Sequence, residues 1–241
     1  MALLSQAGGL GYHLRALKYK PRWKPFCQAI EAWLNTWNPP EKKIILFGPS
    51  AGYTLPSTFL GRFEKIGAVE PDPVARYLFK KRFKNHEIEW FQKSPLFPKN
   101  GIFNHDELKT FIDSHEDYCF LFCNLLGQLH LLFPNEVRSR RFSEFKASLP
   151  YLFLNHSWAS YHDRLSGIIK PSSNLQKSTQ SLPNSQLVSL AYSAKHLNVP
   201  VELIDHEMEG FAPALSRIYF RWELTPRHHH LIEGVFESRT D

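Results

Sequence analysis

A chain of 241 residues with 43% hydrophobic side chains has material for one α/β domain with small additions, which excludes global disorder. Its net charge of +6 permits an acidic partner without identifying one. Cys27, Cys119 and Cys123 have no zinc-finger spacing and read as reduced thiols. No run approaches the ~20 apolar residues that cross a bilayer, so the expectation is a cytoplasmic protein without a membrane segment.

Residues 1–24 carry Arg15, Lys18, Lys20, Arg22 and Lys24 with Tyr19 and Trp23 between them. Cations interleaved with rings suit a phosphate-gripping arm, but the favoured reading is a solvated tail lying across the domain. From Phe26 the stripe Ile30, Trp33, Leu34, Trp37 predicts a helix, ended by Asn38-Pro39-Pro40. Residues 1–40 are therefore expected to be a basic arm and cover helix, and 41–241 the main domain.

The run Ile44-Ile45-Leu46-Phe47 predicts a strand buried on both faces, as in a parallel sheet covered by helices. It breaks at once into Gly48-Pro49-Ser50-Ala51-Gly52, a turn that brings backbone N–H groups towards a ligand. Twenty-two residues after Gly48, Ile66 to Val69 ends in Glu70, a carboxylate placed to hydrogen-bond the hydroxyls of a ribose. Crossover helices are expected to open at Pro56 and Pro73. Ile88 to Phe91 reads as a third strand, and residues 93–106 as irregular.

Tyr118 to Cys123 is the fourth strand, and Asn124 at its carboxyl end faces the ligand crevice of an open α/β sheet. A helix follows over 135–148. Tyr151 to Leu154 is expected as the fifth strand, leading into Asn155-His156-Ser157-Trp158-Ala159-Ser160-Tyr161-His162-Asp163, the densest run of reactive groups. His162 and His156 are the candidate bases here, with Asp163 available to orient an imidazole. Residues 166–185 form a polar insertion or lid. A helix from Gln186 to Leu197, a strand from Val199 to Ile204, and a hairpin of Ile218–Leu224 with His230–Phe236 complete the chain.

The glycine turn, the acid after the second strand, the "N-x-x-G" ending at Asn124–Gly127 and the closing hairpin together resemble class I S-adenosylmethionine-dependent methyltransferases. The resemblance runs from about Lys43 to the C-terminus as an order of elements. It implies an α/β fold: a mostly parallel doubly wound sheet of about seven strands with a C-terminal antiparallel hairpin. It also implies S-adenosylmethionine as cofactor, with Gly48, Pro49, Ser50 and Gly52 as the glycine loop, Glu70 on the ribose and Asn124 beside it. Pro49, Ser50 and Ala51 replace the alternating glycines of that family, and Leu46 and Phe47 offer no first-strand acid. The Asn-Pro-Pro-Tyr and Pro-Cys signatures of nucleic-acid base methylation are absent, which favours a small-molecule acceptor over RNA. A non-catalytic nucleotide-binding scaffold and a nicotinamide dehydrogenase are the other readings; Gly48-Pro49-Ser50 breaks the pattern the latter needs. Neither G-x-S-x-G nor G-x-x-x-x-G-K-[ST] occurs. Of His228-His229-His230 at most two could share a metal. His156, His162, Asp205 and His206 lie elsewhere without metal-ligand spacing, so no metal is expected.

Overall fold

The computed structural model describes residues 9–92, 95–96, 103–172, 178, 180–192 and 202–239. Helix α1 spans Gly9–Leu34 and contains Pro21 and Pro25. It begins well before Phe26, because the buried stripe of Phe26, Ile30, Trp33 and Leu34 extends back through Trp23 to Ala16. Residues 9–24 are therefore helix and not an extended arm; residues 1–8 lie outside the described residues.

Strands β1 (Lys43–Phe47), β2 (Lys65–Val69), β3 (Ile88–Trp90), β4 (Tyr118–Cys123) and β5 (Trp158–Gly167) form the parallel part of the sheet. Strands β7 (Arg217–Thr225) and β8 (His228–Glu237) close it antiparallel, in the order β3-β2-β1-β4-β5-β8-β7. A two-residue β6 (Ile204–Asp205) pairs with the far end of β5. The sheet is thus the expected doubly wound one with its antiparallel hairpin, plus one short strand.

Helices cover both faces. The aromatic side of α1, with α2 (Ser57–Leu60) and α3 (Pro73–Arg82), packs on one face. α4 (His105–Asp113), the short α5 (Leu126–Leu129) and α6 (Arg138–Leu152) pack on the other. This two-sided cover is why β1 and β4 are apolar along almost their whole length.

One strand lies elsewhere than its sequence suggests. Tyr151 and Leu152 finish α6, and Leu154 follows it; Tyr151 and Leu154 are 78% and 67% exposed while Phe153 between them is buried. A four-residue apolar run fits a helix end as well as a strand. The true β5 starts at Trp158, and all ten of its residues are buried despite their polarity. Beyond it, α7 covers Asn184–Ala191. The rest of the expected helix from residue 193, the strand start at 199–201, and positions 173–177 and 179 of the polar insertion lie outside the described residues.

Candidate active site

The strand order reverses between β1 and β4, which makes their carboxyl ends the switch point at whose crevice open α/β sheets bind ligands. On the β1 side, Gly48, Ser50 and Gly52 all have positive φ, at 64°, 50° and 67°. Ser50 is held in this left-handed region by Glu70, whose Oε2 accepts from Ser50 N at 2.9 Å; its Oε1 accepts from Asp72 N at 3.0 Å. Burial raises the Glu70 pKa, opposed by these two backbone N–H groups. Each oxygen keeps one further lone pair for a ligand hydroxyl.

The two glycines serve the fold as much as the crevice. A Cβ on Gly52 would lie 2.4 Å from the Phe83 ring, and one on Gly48 would lie 3.2 Å from Leu125. The Pro49 carbonyl accepts from Gly52 N at 2.9 Å and closes the turn.

On the β4 side Asn124 also has positive φ, 51°, and its N–H donates to the Tyr161 carbonyl of β5 at 2.8 Å. Its Nδ2 donates to Asp163 Oδ2 at 3.2 Å, as does Gln128 Nε2 at 2.8 Å. Its Oδ1 is buried without a hydrogen-bond partner among the described residues. Gly127 is needed because a Cβ there would sit 2.6 Å from the Asp163 carbonyl, which gives the "N-x-x-G" spacing a packing cause.

Asp163 pairs with neither His162 nor His156. Its Oδ1 accepts from His230 Nδ1 at 2.6 Å, and His230 Nε2 is buried without a partner among the described residues. Burial raises the Asp163 pKa, but the neighbouring His230 and His206 and the Gln128 amide outweigh it and hold the carboxyl well below the usual range. His206 stands beside the pair: its Nδ1 faces the Gly127 carbonyl at 3.1 Å and its Nε2 faces Ser166 Oγ at 3.0 Å.

The alternation of β5 sends His162 to the opposite face of the sheet. There its Nδ1 meets Ser160 Oγ at 2.9 Å, its ring edge meets Phe211, and its Nε2 lies 3.7 Å from Glu233. It has no solvent exposure, and burial lowers its pKa. Glu233 is also paired with Arg164 and Arg217, and Arg217 donates to the carbonyls of Phe211, Ala212 and Leu215. This buried cluster ties β5 and β8 to the segment before β7.

His156 precedes β5 and so lies at the amino edge of the sheet, against Phe120 and near Glu41. The crevice is at the carboxyl edge. Neither expected base faces it; among the described residues His230 brings an unpartnered imidazole nitrogen to that edge. Tyr161, also on β5, points to the α1 side, with its hydroxyl 2.7 Å from Thr54 Oγ1, whereas Trp158 and Phe211 pack on each other on the opposite face.

The first turns of α1 lie over the crevice mouth. His13 Nδ1 is 3.1 Å from the Tyr53 hydroxyl and its Nε2 is 3.4 Å from Asp72, with Tyr12 packed on Tyr53.

No protein-family model matches the chain, and no curated protein matches it in sequence. Among solved structures it is similar to the N-methyltransferase NodS from Bradyrhizobium japonicum WM9, at 9% identity and TM-score 0.45, covering 91% of this chain and 98% of that one. It is also similar to a SAM-dependent methyltransferase from Anabaena variabilis, at 11% identity and TM-score 0.46, covering 95% and 93%. A third is the magnesium protoporphyrin IX methyltransferase ChlM from Synechocystis, at 10% identity and TM-score 0.42, covering 97% and 86%. At these TM-scores the topology rests on the strand order itself: a Rossmann-like doubly wound sheet closed by an antiparallel hairpin.

Proposed function

We propose that the chain is an S-adenosylmethionine-dependent methyltransferase acting on a small-molecule acceptor. The observation that carries this reading is Glu70. It sits at the tip of β2 beside the switch point, with an acceptor site left on each carboxylate oxygen. The residues present fit the cofactor: Gly48, Pro49, Ser50 and Gly52 form the turn under it, Glu70 takes the ribose hydroxyls, and the free Asn124 Oδ1 accepts from its polar end. When bound, the cofactor supplies a methyl group on a sulfonium centre.

What the chain adds is alignment, exclusion of water and a place for the acceptor. The acceptor enters at the Asp163–His230 end of the crevice, where Asn124 and Gln128 orient the carboxylate. Tyr12, His13 and Tyr53 over the mouth suit a small acceptor better than a nucleic-acid strand. The same cover favours one second reading, a non-catalytic nucleotide-binding scaffold whose crevice the chain itself closes.

Calorimetry with S-adenosylhomocysteine, S-adenosylmethionine and NAD tests the assignment. Binding of the first two and not of NAD is expected. Absence of S-adenosylhomocysteine binding at millimolar concentration overturns the methyltransferase reading.

A further inference from the structure

We propose that Asp163, His206 and His230 bind a divalent first-row transition-metal ion at the crevice. One ligand atom from each of the three lies within 4.8 Å of the others, and all three residues are buried. Metal–ligand bonds of ~2.0–2.2 Å close such a triangle with small side-chain adjustments.

Asp163 is fully buried, with the amides of Asn124 and Gln128 on one carboxylate oxygen and the His230 imidazole on the other. A metal ion bound there would take the place of the hydrogen that now joins His230 to Asp163, with both amides left in position to orient the carboxylate.

The donor set selects the metal. Two imidazoles and one carboxylate favour zinc, cobalt, nickel, iron or manganese over magnesium or calcium, which prefer all-oxygen shells. The amides on Asp163 and the Gly127 carbonyl on His206 Nδ1 are the outer partners that orient such ligands. Three protein ligands leave coordination positions for an exogenous oxygen or nitrogen donor, the pattern of a reactive and not a structural site. His228, with its ring 4.8 Å from that of His230, stands at the edge of the cluster.

The three ligands come from β5, from the residue after β6 and from the start of β8, so chain spacing does not reveal them. The site shares Asp163 and His230 with the acceptor end of the methyl-transfer reading, but the geometry that carries it does not depend on that reading.

The test is a cobalt(II) titration of the full chain after chelator treatment and dialysis, followed by visible absorption and calorimetry. One equivalent should bind. His206→Gln and Asp163→Asn should each weaken it by about 100-fold or more, since loss of an outer partner alone costs ~10–100-fold. His229→Gln, on the other face of β8, should leave it unchanged. X-ray absorption at the zinc edge on the unsubstituted, zinc-loaded protein needs no variant and should show two imidazoles in the shell.

No cobalt binding, unchanged affinity in both ligand variants, or a zinc shell without imidazole overturns the proposal. The first outcome leaves Asp163–His230 as a hydrogen-bonded pair only. S-adenosylhomocysteine titration of the metal-free protein decides the methyltransferase reading separately.

Discussion

Asp163 follows His162 in the chain but accepts its short hydrogen bond, 2.6 Å, from His230, 67 residues further on. The two neighbours on β5 point to opposite faces of the sheet, so one joins the crevice and the other joins the Arg164–Glu233–Arg217 cluster. The function of each is set by its face.

Glu70→Gln should bind S-adenosylhomocysteine about tenfold or more weakly, because a charged acceptor contributes ~1.5–3 kcal/mol. The substituted amide offers its oxygen to only one of Ser50 N and Asp72 N and turns an NH2 on the other, so thermal unfolding should also report a loss of about 1–3 kcal/mol. Calorimetry on the variant checks this, and an unchanged affinity removes Glu70 from the site.

Glu233→Gln should destabilise by about 3–5 kcal/mol, since it leaves Arg164 and Arg217 buried without their counter-charge. Urea unfolding at neutral pH measures the loss.

Acid should erode stability in a defined order. Burial holds the His162 imidazole below its ordinary value, so its contribution is present above pH about 6.5 and is lost as pH falls. Burial opposes ionisation of Glu233, but His162, Arg164 and Arg217 outweigh it and hold the carboxyl at about 2. Its contribution is therefore complete above about 4.5 and disappears as pH drops towards 2; Asp163, also depressed, acts in the same sense. Urea midpoints at pH 7, 5 and 3 should fall in sequence, and Glu233→Gln should flatten the last step.

Gly52→Ala should cost about 1–3 kcal/mol from overpacking against Phe83 and Phe79, on top of the strain of its positive φ. Gly210→Ala shares the positive φ but meets nothing within 4 Å, so it separates strain from crowding. Thermal unfolding of the pair gives the difference.

Removing residues 1–24 should destabilise the domain and not merely trim an arm. Ala16 and Trp23 are buried, and Trp23 Nε1 donates to the Leu224 carbonyl at 3.0 Å. Trp23→Ala alone should cost about 3–5 kcal/mol. An unaltered unfolding midpoint in the truncated chain contradicts this packing.

The doubly wound sheet was legible in the chain because its signals are local. Ile44–Phe47 and Tyr118–Cys123 are apolar without interruption, Gly48 to Gly52 breaks the first, and Glu70 falls where the second strand ends. Periodicity and turn residues act over a few positions, so sequence carries them directly. The start of α1 was hidden by Pro21, Pro25 and the surrounding cations, and β5 by its polar composition, while Tyr151–Leu154 imitated a strand. The polar end was legible only in part: the run ending at Asp163 and the His228–His230 triplet stood out as reactive groups, but which of them meet did not. Asp163, His206 and His230 become neighbours only because β8 returns antiparallel beside β5, with Ile232 opposite Asp163, and β6 pairs with the far end of β5. Which imidazole meets which carboxylate is decided by strand pairing and sheet face, quantities that exist only once distant segments have packed.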